Sequence, residues 1–126
     1  MPDAEPTRRV MQNEGPLVYG YLLAGTPDEI QIGLWRKEIG YFCRGHGYRL
    51  ALVFVDRGVP HDHVTRPGFT GLLDVLALEG SHGVVVPNIE HLSTDNDVAA
   101  VLRRLVRHTA SQLIVIDDIG ERGDAR

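Results

Sequence analysis

The run Leu17-Val18-Tyr19-Gly20-Tyr21-Leu22-Leu23 constrains the fold more than any other stretch. It is short, β-prone and apolar on both alternating faces, which suits a strand buried on both sides. Gly25 ends it, and Thr26-Pro27-Asp28-Glu29 opens a helix at once. Thr26 is predicted as the N-cap, Glu29 as the residue reaching back to it, and Pro27 as the first helical position. A buried strand running straight into a capped helix begins a parallel α/β sheet. The loop at Ala24, Gly25 and Thr26 is then the place where such sheets hold ligands.

The pattern repeats down the chain. A first helix is predicted from Asp28 to about Arg44, with Ile32, Trp35, Ile39 and Phe42 inward and Ile30 and Leu34 beside them. Gly45-His46-Gly47 stops it. Arg49–Asp56 reads as a second buried strand, and Arg57–Thr65 as a polar loop. Thr65-Arg66-Pro67 starts a second helix carrying Phe69, Leu72, Leu73 and Leu76, closed by Gly80. Gly83–Val86 is a third strand, ended by Pro87, which lacks an amide donor. Asn88–Asn96 is a polar loop. Thr94 and Asp97 are the predicted capping pair of a third helix, whose inner stripe is Val98, Val101, Leu102, Leu105 and Val106. Leu113–Ile116 is the fourth strand. Strands alternating with helices predict a three-layer α/β fold: an open, mainly parallel four-stranded sheet with helices on both faces. The expected divisions are an N-terminal tail over 1–15, one α/β domain over 16–117 and a C-terminal tail over 118–126.

Size and charge narrow the function. The chain has 126 residues, room for one domain with a real core. Lys and Arg number 13 against 17 Asp and Glu, a net charge of -4, which opposes a general nucleic-acid-coating role but leaves a local basic face open. One cysteine, Cys43, allows no internal disulfide and suits a reducing cytoplasm. No membrane partner is expected, since the N-terminal residues lack the apolar core of a signal peptide or anchor and no apolar run is long enough to span a bilayer.

The strand-end loops carry the candidate residues. His61, Asp62, His63 and Asp56 invite a metal reading, yet no second cluster at ligand spacing accompanies them, and neither metal nor cofactor is expected. Arg66 stands where it could hold an anion at a helix N-terminus, or pair with Asp56 or Glu90. His91 could contact a phosphate when charged, or bond to backbone when neutral. Arg103, Arg104 and Arg107 lie on the outer face of the third helix, as DNA-backbone contacts or as a solvated surface. Asp117-Asp118 ends the fourth strand.

The succession YGYLLAGTPDE, HGYRLALVFVDRGV, TRPGFTGLLDVL and VVVPNIEHLSTD resembles the catalytic domain of the serine recombinases, the resolvases and invertases, from about Val18 to Ile116. The resemblance implies a resolvase-like fold. It also implies a chemistry: a serine after the first strand attacks a DNA phosphodiester, and arginines neutralise the phosphate. The family's Tyr-x-Arg-x-Ser pattern falls on Tyr21, Leu23 and Gly25, so the arginine is leucine and the nucleophile glycine. The family's Asp-Arg and following Arg fall on Glu90, His91 and Thr94, and both guanidinium groups are gone. Arg66 alone matches unchanged. Thr26, beside the lost serine, is assigned to the helix cap rather than to the nucleophile's role. The long dimerisation helix and helix-turn-helix unit usual after the fourth strand are not expected in a sequence running to Arg126.

On this reading no residue is assigned a catalytic role. Leu23, Gly25, Glu90, His91 and Thr94 are degenerate family positions, while Arg66, His91, Arg103 and Arg107 are candidates for an anion or DNA backbone. The expectation is a catalytically inactive regulatory or protein-interaction module, with a protein partner or self-association as a dimer. The alternative is an accessory factor that binds DNA weakly without cleaving it.

Overall fold

A computed structural model describes residues 15–119; the predicted tails over 1–15 and 118–126 lie outside the described residues except at Gly15 and at 118–119, the latter being helical. The order of elements is β1 (Leu17–Ala24), α1 (Glu29–Gly45), β2 (Arg49–Arg57), α2 (Pro67–Leu76), β3 (Ser81–Val86), a 3-10 turn (Ile89–His91), α3 (Asn96–His108) and β4 (Gln112–Val115). The four strands form one sheet in the order β2-β1-β3-β4, with every neighbouring pair parallel. The first crossover moves one way along the sheet and the next two move the other way. Connections of a single hand then place α1 on one face and α2 and α3 on the opposite face.

The two cores follow from the strands' two-residue period. Val18, Leu22 and Ala24 of β1 join Val85 and Ile114 against Ile32, Ile39, Phe42 and Cys43 of α1. Tyr19, Tyr21 and Leu23 join Val84, Val86 and Val115 against Phe69, Leu72 and Leu76 of α2 and Leu102 and Val106 of α3. Each fully buried aliphatic or aromatic side chain stabilises the fold by roughly 1.5–3 kcal/mol before its ordering entropy is counted. Gly20 lets α1 lie close to the sheet, because a Cβ there would stand 3.0 Å from Val53 and 3.2 Å from Ile39.

Several local expectations are corrected. Asp28, not Thr26, caps α1: its Oδ1 accepts from the amides of Ile30 and Gln31 at 3.1 and 3.2 Å. The Glu29 carboxylate does not reach back, because Arg57 at the end of β2 donates to it at 2.6 and 3.0 Å. Asp95, not the Thr94 and Asp97 pair, caps α3 by accepting from the amides of Asp97 and Val98. α2 ends at Leu76, and Gly80 serves the turn into β3 rather than the helix end. β2 is an edge strand with Arg49, Ala51 and Leu52 exposed, because chain order put only β1 beside it. Ile30 and Leu34 point away from the core, at 80% and 55% exposure. β4 stops at Val115, and residues 116–119 are helical, with Ile116 and Ile119 packed on the α1 side of the sheet. Among the described residues, no helix is long and apolar enough to cross a membrane.

Candidate functional site

The sheet order reverses direction at β1 and β3, so their C-terminal ends border the crevice that a parallel sheet leaves open at its switch point. There the chain forms a cleft of about 260 Å³, lined by Leu23, Ala24, Gly25, Thr26, Trp35, His61, Asn88, Glu90 and His91. Seven of the residues singled out from sequence meet here: Leu23, Ala24, Gly25, Thr26, His61, Glu90 and His91.

His91 forms the inner wall and is almost fully buried. Its Nδ1 accepts from the amide of Leu23 at 3.0 Å, so the neutral ring carries its proton on Nε2. Trp35 of α1 meets the imidazole edge-on, with ring centres 4.5 Å apart. Burial, and secondarily the neighbouring His61, push the His91 pKa down to about 4. The ring is therefore an uncharged hydrogen-bond donor at neutral pH, not a cation. The Leu23 backbone serves the cleft while its side chain packs in the core against α2 and α3. Gly25 is exposed, and a Cβ at that position would meet only His61 Cδ2, at 3.9 Å. Glu90 is exposed on the 3-10 turn, its amide donating to the Asn88 side chain. The exposed Thr94 gives its amide to His61 Nδ1 at 3.2 Å.

Arg66 lies elsewhere, with no exposed surface. Its guanidinium pairs with neither Asp56 nor Glu90. Nε donates to the His63 carbonyl at 2.7 Å, Nη2 to the His61 carbonyl at 3.0 Å, and Nη1 to the Tyr21 hydroxyl at 3.4 Å and the His91 carbonyl at 3.5 Å. Arg66 thus gathers the 61–63 loop onto the end of β1. Ser93 Oγ adds a bond to the same His61 carbonyl at 2.7 Å. Asp56 is also buried. It accepts from the Tyr21 hydroxyl at 2.7 Å and from the amides of Gly68 and Phe69 at 2.6 and 2.9 Å, so it caps α2 from β2. Burial, and then the acceptor carboxylate, raise the Tyr21 pKa well above the ordinary phenol value.

Arg103 and Arg107 are exposed on α3 and line a different and larger groove of about 440 Å³, with Ser111, Gln112, Leu113, Val115 and Asp118, beside the β4 edge. The described residues hold no group of three or more His, Cys, Asp or Glu placed to bind one metal ion. Sequence reasoning did not assign Trp35 and Asn88 to the cleft wall, since Trp35 fits a helix's inner stripe equally well. Nor did it find the Asp56 cap. Its trace was Gly68, where a Cβ would lie 2.9 Å from the Asp56 carboxylate.

No protein-family model matches the chain, and no curated protein matches it by sequence. Solved structures do match. The N-terminal catalytic domain of TP901-1 integrase superposes with a TM-score of 0.71 at 15% identity, covering 81% of this chain and 79% of that one. The C-terminal catalytic domain of ISC1926 TnpA, an IS607-like serine recombinase, gives 0.70 at 13% identity, covering 79% and 67%. The fold is that of serine recombinase catalytic domains. A resolvase family site-specific recombinase from Streptococcus pneumoniae, at a TM-score of 0.66 and 15% identity over 81% and 72%, shares it. On the serine recombinase fold, the cleft at Gly25 lies at the C-terminal edge of β1 and β3, and its lining holds one carboxylate, Glu90, and no lysine or arginine.

Proposed function

We propose that this chain is a recombination-related domain that has given up strand cleavage and works as a regulatory or protein-interaction module. The observation that carries this reading is the cleft's charge. Its lining includes no arginine or lysine; His91 is neutral, and Glu90 adds a carboxylate. A phosphodiester undergoing attack gathers negative charge, and a single missing donor to such a centre typically costs about 10²–10³ in rate. Here the position of one arginine is a leucine turned into the core, the position of another is a neutral imidazole, and the nucleophile's position has no side chain. The guanidinium of Arg66, at the one position that matches the family's pattern, is buried among backbone carbonyls.

The test is incubation with supercoiled plasmid, followed by denaturing electrophoresis for nicks and for protein covalently joined to DNA. We expect neither, and either product from the purified chain overturns the reading. Gly25→Ser sharpens the test, since the open space at that position admits the hydroxymethyl group. The variant should fold normally and still form no adduct, because a hydroxyl without guanidinium partners gains little.

A second reading has its own support: Arg103 and Arg107 stand exposed along one groove and can meet phosphates. In it the chain is an accessory factor that touches DNA weakly. Two phosphate contacts predict a slope of about −1.8 in log K against log salt. A gel-shift titration with Arg103→Ala and Arg107→Ala measures it, and absence of any shift at low salt rejects it.

A further inference from the structure

His91 lines the cleft at the ends of β1 and β3 with only 3% of its surface exposed. The Leu23 amide occupies its Nδ1, so the neutral ring holds its proton on Nε2 as a donor. No described residue accepts that proton, yet Nε2 is not sealed in, because no buried side-chain nitrogen or oxygen among the described residues lacks a partner. The little surface that His91 keeps therefore includes Nε2, and the cleft is the surface that His91 lines. An almost wholly buried donor, unmatched within the chain and open to a cleft, calls for an acceptor from outside.

The rest of the lining selects the kind of acceptor. His61 is held in the same way: its Nδ1 accepts from the Thr94 amide, and Cδ2, the ring atom next to Nε2, lies 3.9 Å from where a Cβ at Gly25 would stand. A second imidazole thus turns its donor edge toward the end of β1. The lining holds no lysine or arginine. His91 gains a positive charge only by giving up the Leu23 bond, since a protonated Nδ1 has no lone pair to accept with. A carboxylate or phosphate seated against it would be a desolvated charge without a partner. The acceptor is then an uncharged oxygen, a carbonyl. On the exposed 3-10 turn the polarity reverses: the Glu90 carboxylate takes no hydrogen bond from a described residue, so the ligand's other polar group donates. Trp35 adds a flat apolar wall beside His91. The volume of about 260 Å³ falls below the roughly 300–1,000 Å³ of drug-sized pockets, which suits one or two small rings.

We propose that the cleft binds an uncharged cyclic lactam, a ring with C=O beside N–H as in an oxopyrimidine, its carbonyl oxygen on His91 Nε2, its face against Trp35 and its N–H toward Glu90. A cationic ligand would suit Glu90 and Trp35 but would set its own donors against the His91 donor. A base within a nucleic-acid strand offers the same lactam edge as a free one, and the two sources differ in salt dependence. The inference rests on the reading of the cleft as one that no longer cleaves strands, and it gives the regulatory module a small-molecule signal. The two fail separately. Nicked plasmid beside intact lactam binding sinks the loss of cleavage alone, and intact plasmid with no lactam bound sinks this inference alone.

Trp35 is the chain's only tryptophan, so its fluorescence reports from the cleft wall. Uracil titrated into the full chain should change that emission saturably, with a dissociation constant of about 1 mM or tighter. The His91 Nε2–H resonance and the Gly25 amide should move with it in nitrogen-15 spectra, while the Arg103 and Arg107 amides stay in place. Dimethyluracil methylated on both nitrogens keeps the carbonyls and lacks the N–H, and should bind about tenfold more weakly, as should uracil to Glu90→Ala. His91→Phe should weaken uracil by at least about tenfold, with far-UV circular dichroism checking the fold; the analogue comparison in the native chain stands whether or not that variant folds. No saturable change with uracil overturns the proposal, and so does equal binding of uracil and its dimethyl analogue. Tighter binding of benzylammonium or of the anion orotate than of uracil also overturns it. So does an oligothymidylate that binds with steep salt dependence where free uracil does not.

Discussion

His91 shows how one side chain's surroundings decide its chemistry. An imidazole in a polar loop titrates near neutrality and can greet a phosphate as a cation. Here the ring is buried, takes an amide bond at Nδ1 and faces Trp35, so only its neutral form is accommodated. Its folded pKa of about 4 lies below the ordinary 6.5, so between these values the unfolded chain binds more protons. The resulting stabilisation is complete above about pH 6.5 and is lost as pH falls toward 4, amounting to roughly 3 kcal/mol. Urea titrations at a series of pH values should show this loss in the native chain and a shallower one in His91→Gln. Equal slopes in the two would mean that the ring is not held neutral.

At the level of the helices, α2 takes its cap from outside its own sequence. α2 begins at Pro67 with no capping side chain on Arg66, the residue before it; Asp56 supplies the acceptor from β2. Removing that carboxylate leaves two helix amides and the buried Tyr21 hydroxyl without an acceptor. Asp56→Ala should therefore cost roughly 2–4 kcal/mol in denaturant unfolding. Tyr21→Phe keeps the cap and should cost less. Gly68→Ala forces a methyl against the same carboxylate and should cost about 1–3 kcal/mol. A neutral effect of Gly68→Ala would show that α2 can shift from Asp56 without loss.

Across the molecule, strand position sets local stability. β1 lies between β2 and β3, so both its edges are bonded, while β2 and β4 each have one edge without a strand partner among the described residues. Native-state hydrogen exchange should find the slowest amides in β1 and β3 and fast alternate amides along Arg49–Arg57. Uniform protection of β2 would place a partner on that edge. The same sheet order puts the cleft between β1 and β3, away from the Arg103 and Arg107 groove at the β4 edge, so the two surfaces can be altered independently.

The amino-acid order by itself determined the succession of strands and helices, the parallel sheet, and the leucine and glycine that line the cleft at the end of β1. Those features follow from local periodicity and turn chemistry, which neighbouring residues carry with them. Tertiary structure alone decided that Arg66 bonds to backbone carbonyls, that His91 is neutral, and that Asp56 caps α2. It also decided that Ile30 and Leu34 face outward. Each of these depends on groups brought together from distant parts of the chain, such as Asp56 with Gly68 or Leu23 with His91. Burial and hydrogen-bond partners, which set charge state and exposure, exist only once the sheet has closed over them.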